Sequence, residues 1–342
     1  MIKKIIKWFL IVTLVIILFA GIASAVVYKM FLLPTGNMSE PVVVRIKKGD
    51  TLMKTAVNLK ELGAIKDERI FIAVAKIVGV ERTIRTGEYE ITPEMSPKDI
   101  LFLILTGRVV EYPVTIPEGY NVYQISELLG GLEFVDEATF LSLITDKDFM
   151  AKFEIDVDAS NMEGYLFPDT YNLNRGMDEK EIVTLMVKRY FVVFEEERGK
   201  SETLTGLTDY EILILASIVE KEARADDERP LISAVFVNRL KKRMKFDSCA
   251  TVIYGMWDDF NGNLTRAHLE TMTPYNTYLF SGFPPGPICN PGRAAIRAAL
   301  NPADCDYLYF VSKNDGTHYF SASLSEHNRA VYLYQKLRRY RK

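Results

Sequence analysis

The sequence predicts an α+β protein: one membrane-spanning helix at the N-terminus, a small α/β subdomain, then a larger domain of mixed helices and a β-hairpin. Three observations carry that prediction. Residues 8–28 are uncharged and follow Lys3, Lys4 and Lys7, a run of about 21 against the ~20 apolar residues that cross a bilayer as a helix. From Val42, "VVVRIKKGDTLMKTAVNL" passes from strand to helix periodicity across a Gly-Asp turn. Residues 134–240 are mainly helical in pattern, after which Pro, Gly, Asn and aromatics crowd residues 273–292.

The 342 residues, 48% of them hydrophobic, suffice for two or three domains with real cores. With 42 Lys and Arg against 45 Asp and Glu, the net charge of −3 offers no basic surface for nucleic acid. Three widely spaced cysteines (Cys249, Cys289, Cys305) make neither a disulfide framework nor a zinc pattern. Three histidines (His268, His318, His327) show no metal-ligand spacing. No metal and no cofactor is expected.

Element by element, the basic residues before the apolar run place the short tail in the cytoplasm and the bulk of the chain outside. An uncleaved anchor competes with a signal peptide cut after "ASA" (23–25). The run exceeds the usual length of a signal h-region, which favours the anchor. The predicted organisation is then tail and anchor over 1–30, a linker over 31–41, a subdomain over 42–112 and a main domain over 113–342. The subdomain opens with a strand, a turn at 48–50 and a helix from Thr51 with apolar Leu52, Ala56, Leu59 and Leu62. A second helix is predicted over 69–78, a strand at "TGEYEI", and a third helix starting at Ser96-Pro97. "VEYPVTIPEGYNVYQISELL" reads as another strand, turn and helix, with Val122, Ile125, Leu128 and Leu129 apolar. A non-helical island, 162–173, interrupts the helices. Near the C-terminus a short helix over 293–300 precedes "DYLYFVS" and "THYFSAS", a hairpin turned at "KNDG", and a basic helix ends in "KLRRYRK".

"LASIVEKEARADDERP" concentrates the chemistry. Thr208 and Glu211 form a capping-box pattern ahead of a run, 212–219, without a polar stripe, so a buried helix is expected. At ~100° per residue, Glu220 and Glu222 point to nearly opposite sides and are no acid/base pair. A carboxyl alone at a cleft wall, on the face of Ala216, Ser217 and Ala223, would be desolvated and biased toward its protonated form. Aromatic and polar islands at "EGYLFPDTY", "NTYLFSGFPPGPICNPG" and "YFSASLSEH" supply the mixture of ring faces and hydrogen-bonding groups that sugars require.

The "KKGDTL" turn resembles the opening of LysM modules, which bind N-acetylglucosamine-containing glycans. More of the chain is in register with one family: "LASIVEKEA", "AVFVNRL", "ATVIYG", "YNTYLFSGFPPGPICNPG" and "YLYFV…HYFSASLSEHN", in that order, together with "EGYLFPDTY" and the anchor, resemble the YceG-like endolytic murein transglycosylases. The resemblance implies a membrane-anchored peptidoglycan lyase. It would cut the β-1,4 bond between N-acetylmuramic acid and N-acetylglucosamine without adding water, leaving a 1,6-anhydro end. It further implies a single-pass protein of the inner (cytoplasmic) membrane with its catalytic domain on the extracytoplasmic side, penicillin-binding proteins as partners, and termination of nascent strands.

By resemblance the acid/base is the first glutamate of "IVEKE", Glu220. It would protonate the leaving oxygen and then, as carboxylate, accept the C6 hydroxyl proton as O6 closes onto C1, so that no second carboxylate is needed. Glu222 is expected to be structural, paired with Arg239 or Arg224. Asn238, Tyr254, Tyr275, Asn276, Thr277 and Tyr278 match motif positions suited to sugar hydroxyl or N-acetyl groups. Glu163 and Asp169 are the candidates for a second cleft carboxylate. Cys249 stands where many relatives carry aspartate. Two other readings stay open: a catalytically inactive glycan-binding scaffold, and a hydrolase that uses a second carboxylate.

Overall fold

The structure, a computed structural model, describes residues 2–79, 84–156, 158–201 and 205–337. The chain divides into two compact units, Met1–Pro113 with Asn172–Asp178, and Val114–Tyr171 with Glu179–Lys342. The mixed helix and small-sheet architecture is α+β, as predicted, with an apolar helix at the N-terminus.

In the first unit, α1 (Ile2–Leu32) has 31 residues and a mean hydropathy of 2.9 over its apolar window, long and apolar enough to cross a membrane. The helix runs past the predicted anchor, and Phe31 at its end joins the buried core with Val44, Leu59, Phe71 and Tyr89. The stretch that follows docks on the same unit: the Asn37 N–H donates to Gly63 O at 2.9 Å. Next come β1 (Val42–Ile46), α2 (Leu52–Glu61), α3 (Glu68–Ile77), β2 (Gly87–Ile91) and α4 (Pro97–Thr106). β1 and β2 pair antiparallel from Val42↔Ile91 to Ile46↔Gly87. Val44 and Ile46 point inward at the two-residue period of a half-buried strand. The caps are those the sequence signals. The Thr51 side chain accepts from Lys54 N, and Ser96 with Asp99 closes a capping box. Leu62, expected on the apolar face, lies beyond the end of α2 and is 43% exposed.

The second unit takes in β3 (Tyr112–Thr115) from its second half onward, α5 (Val122–Gly130), α6 (Glu137–Ile144), α7 (Lys147–Met150), β4 (Thr170–Leu173) up to Tyr171, and α8 (Glu179–Arg198). It continues through α9 (Asp209–Glu222), α10 (Arg229–Lys241), α11 (Cys249–Gly255), α12 (Arg266–Glu270), α13 (Arg293–Leu300), β5 (Tyr309–Ser312), β6 (His318–Ser321) and α14 (Leu324–Val331), then a π-helical turn, Tyr332–Lys336. Of the basic tail, residues 338–342 lie outside the described residues.

α9 is the central post of this unit. Thr208 caps it in a full capping box with Glu211, and every residue from Ile212 to Val219 is buried against neighbours that include α10, α11 and α13. Leu213, Leu215, Ile218 and Val219 are 0% exposed. Burying each such side chain contributes about 1.5–3 kcal/mol, and Leu215→Ala would cost about 2–5 kcal/mol through the cavity it leaves. α13 turns Ala295, Ala298 and Ala299 inward, small residues that let helices approach closely. The hairpin forms as predicted, with Tyr309↔Ser321 and Ser312↔His318 in register. Its turn uses Asn314 and Gly316 at φ 64° and 95°, the left-handed region those residue types tolerate best.

Candidate active site

α9 ends at Ala223, whose extended backbone (ψ 137°) stops the helix just after Lys221 and Glu222. That stop places the two glutamates of the last turn in different surroundings.

Glu222 sits on the wall of two adjoining clefts. One, of about 290 Å³, is also lined by Asn121, Lys221, Tyr254, Trp257 and Ile288. The other, of about 410 Å³, is lined by Tyr278, Tyr309, Phe310, Arg239 and His327. Cys249 borders both. The Ser248 hydroxyl donates to Glu222 Oε1 at 2.5 Å. Burial raises the Glu222 pKa above the ordinary carboxyl value, opposed in part by the Ser248 hydrogen bond and by His318 and Arg239. Sequence reasoning expected Glu222 to pair with Arg239 or Arg224, and the structure corrects this. The Arg239 guanidinium is committed to the carbonyls of Lys245, Phe246 and Leu308 and to Asp247, so the partner of Glu222 is a hydroxyl. Trp257 extends the first cleft as an aromatic platform, stacked on Tyr123 at 6.1 Å and 11°.

Glu220 faces a charged region. Its Oε2 accepts the Gly292 N–H at 3.0 Å, and Oε1 lies 3.5 Å from Arg229 Nη2. Its side chain is 7% exposed. Glu118, in the "PEGY" turn, closes over the same glycine: a Cβ on Gly292 would collide with the Glu118 carboxyl. Burial and then the neighbouring Glu220 raise the Glu118 pKa, and Arg229 opposes them. The turn is stitched in place by Lys221 Nζ to Gly119 O (3.1 Å) and by reciprocal backbone bonds, Gly119 N to Asn290 O and Asn290 N to Tyr120 O. Gly119, at φ 76°, adopts the left-handed conformation this tight passage requires.

The other sequence candidates divide into two groups. Tyr254 and Tyr278 line the Glu222 clefts. Tyr275 packs edge-on against Tyr254 at 4.8 Å, and the Tyr278 hydroxyl lies 3.1 Å from Cys249 Sγ. Asn276, Thr277 and Asn238 spend their polar atoms inside the protein. Asn276 Nδ2 donates to Leu269 O and Thr271 O while its Oδ1 accepts from Tyr278 N. Thr277 Oγ1 accepts from Ser248 N and pairs with Thr251. Asn238 Nδ2 donates to Cys305 O and Tyr307 O. The first two thereby brace the loop that presents Tyr275 and Tyr278.

Glu163 is 1% exposed. It accepts from Val122 N and Asn290 Nδ2, and burial, outweighing those bonds and one from Tyr254, pushes its pKa up to about 8. Asp169 accepts from Arg189 Nε at 2.8 Å. Neither carboxyl is on the wall of the two clefts at Glu222. Glu118, Gly292 and Trp257 went unrecognised as site residues. The only sequence signal was that "PEGYN" and "CNPG" each join a tight turn to a polar side chain. Among the described residues no group of three or more His, Cys, Asp or Glu could hold a metal ion.

Fold and site together define a helix-rich α+β protein in which a buried helix delivers a desolvated carboxyl to an aromatic cleft. The chain belongs to the YceG-like family, whose sequence model matches residues 44–332. It is 31% identical over 333 residues to the endolytic murein transglycosylase of Bacillus subtilis, covering 92% of this chain and 91% of that protein. It is 30% identical to the endolytic murein transglycosylase of Streptococcus pneumoniae, where the match covers 86% of this chain and 58% of that longer protein. The crystal structure of a yceG-like protein from Listeria monocytogenes aligns with a TM-score of 0.57 at 30% identity, over 86% of this chain and all of that one.

Proposed function

We propose that this chain is an endolytic murein transglycosylase that cleaves the N-acetylmuramic acid–N-acetylglucosamine β-1,4 bond by acid/base catalysis with one carboxyl, the C6 hydroxyl of the muramic residue acting as nucleophile. The supporting observation is the surroundings of Glu222: a carboxyl biased toward protonation by burial, oriented by Ser248, and open to two clefts walled by Tyr254, Trp257, Tyr278 and Tyr309. Two clefts meeting at one acid suit an endolytic enzyme, which must hold sugars on both sides of the scissile bond. Glu222 protonates the glycosidic oxygen. The resulting carboxylate then takes the C6 hydroxyl proton as O6 bonds to C1, restoring the acid and releasing the anhydro end.

A second assignment gives this role to Glu220, as the motif resemblance implies. The neighbouring Glu118 carboxyl is what favours it, since a carboxyl pair also permits hydrolysis. The same reading makes the protein a single-pass anchor of the inner membrane through α1, with its catalytic domain outside. It works beside penicillin-binding proteins to terminate nascent strands. The antiparallel β1–β2 pair enclosing α2 and α3 supports a LysM-like, glycan-contacting first unit.

The test incubates the chain and its Glu222→Gln and Glu220→Gln variants with purified glycan strands in ¹⁸O-enriched water. Unlabelled anhydro ends, lost in Glu222→Gln and retained in Glu220→Gln, are expected. Labelled reducing ends would replace the lyase with a hydrolase, and loss confined to Glu220→Gln would move the acid to that residue. Cleavage by neither variant nor the parent chain would leave a glycan-binding scaffold.

A further inference from the structure

The segment "YFSASLSEH" ends at a histidine that the acid/base chemistry leaves unused. β6 leads directly into α14, which is capped by Ser323, its side chain accepting from Glu326 N. α14 packs back on β5 and lays the His327 ring on Tyr309, the centroids 5.2 Å apart and the planes inclined by 27°. The pair stands in the larger of the two clefts at Glu222, about 410 Å³, where Phe310, Leu324 and Tyr278 share the wall.

The two ring nitrogens of His327 have different surroundings. Among the described residues Nδ1 is buried and has no hydrogen-bond partner. Nε2 has no protein partner there either, but it is not buried. A buried N–H without an acceptor costs its full desolvation penalty, so the neutral ring keeps its proton on Nε2, where the cleft can supply a partner. Burial, and then Arg239, whose guanidinium lies 5.3 Å from the Tyr309 ring centroid, hold the His327 pKa below the ordinary 6.5. Protonation would place an unpaired, charged N–H at the buried Nδ1. The ring therefore presents one neutral N–H donor to the cleft.

That donor and its neighbours select a ligand group. A sugar hydroxyl both donates and accepts and gains nothing from the apolar side chains of Phe310 and Leu324 on the same wall. An acetamido group fits both features, because its carbonyl oxygen only accepts and its methyl is apolar. We propose that His327 is a substrate-binding residue whose Nε2–H donates to the carbonyl oxygen of a sugar N-acetyl group held in this cleft, with the acetyl methyl against Phe310 and Leu324. The glycan strand as the source of that sugar rests on the function proposed above, whereas the acetamido chemistry does not.

The experiment titrates the full chain in nanodiscs with chitotetraose, which contains no muramic residue, and with cellotetraose, its uncharged counterpart carrying hydroxyls in place of the acetamido groups, by calorimetry. Tighter binding of chitotetraose is expected. His327→Phe keeps a ring on Tyr309 and removes the donor. It should weaken chitotetraose about two- to tenfold, the worth of one neutral hydrogen bond, and leave cellotetraose unchanged. His327→Gln keeps an N–H donor without the ring and should retain most of the preference. In parallel, cleavage of purified strands by His327→Phe should show KM raised by a similar factor with kcat held. No binding of chitotetraose, equal weakening of both tetramers by His327→Phe, or a preference lost in His327→Gln and kept in His327→Phe overturns the donor role. Strand cleavage with an unaltered KM in His327→Phe overturns it too and leaves the proposed function standing. An acetyl preference that depends on His327, in a chain that cleaves no strand, upholds the donor and counts against the proposed function.

Discussion

Two glutamates separated by one lysine on α9 occupy opposite kinds of environment. On one side Glu222 meets a hydroxyl and aromatic walls. On the other, Glu220 meets a guanidinium, a backbone N–H and a second carboxyl. Both sit at the end of the same helix; the Glu222 side opens on two clefts with aromatic walls beside an acid that burial favours in its protonated form, whereas the cleft on the Arg229 side, about 430 Å³, is lined by charged groups such as Asp226, Arg229 and Arg297. Two carboxyls of one helical turn thus face different chemistry, a hydroxyl and ring faces for one and a guanidinium with a second carboxyl for the other.

The comparison is most exposed to Glu222→Gln, which should lower the rate of strand cleavage by roughly 10²–10⁴-fold, the usual worth of a positioned acid/base. Glu220→Gln keeps an acceptor for Gly292 and should lose far less. If the two losses come out equal, the distinction between the sides fails. Next in size, Gly292→Ala drives a methyl into the Glu118 carboxyl. It should cost about 1–3 kcal/mol in denaturant unfolding while the activity per folded molecule stays near that of the parent. A large activity loss without destabilisation would instead mark the Glu220 side as chemical.

Glu163 sharpens the contrast between burial and catalysis through pH. Its pKa in the fold is about 8 against an ordinary 4.5, so folding favours its protonated form. Its stabilising contribution is complete below about pH 4.5 and is lost as pH rises toward 8. Across that window Tm should fall more steeply in the parent than in Glu163→Gln, and parallel curves would show the carboxyl to be ionised in the fold. The smallest effect belongs to Asp226→Asn. Asp226 pairs with Arg229 but is 90% exposed, so the change should stay within about 0.5 kcal/mol. A larger loss would mean the charged side is more rigid than its exposure implies.

Much of the architecture was legible because local signals were strong and mutually consistent. The capping patterns at Thr51, Ser96 and Thr208 start helices where expected, and "KNDG" turns the hairpin. The site was legible as a set of segments and less so as a set of roles. Asn276 and Thr277 sit in a loop rich in binding-type residues, yet their polar groups are consumed by Leu269, Thr271, Ser248 and Thr251. An Asn that braces a loop and an Asn that meets a ligand are the same letter. Glu118 went unnoticed because the contact that matters runs from the "PEGY" turn to Gly292, far along the chain.

By itself the sequence determined the apolar span of α1, the buried character of α9 and the opposite headings of Glu220 and Glu222. These follow from periodicity and helix geometry, which are properties of neighbours in the chain. Only the tertiary structure decided which glutamate meets the aromatic clefts, and that Ser248 rather than Arg239 holds Glu222. Those outcomes depend on where α11 and the 273–292 loop pack. Packing of distant segments is set by the summed burial of many side chains, not by the pattern within any one of them.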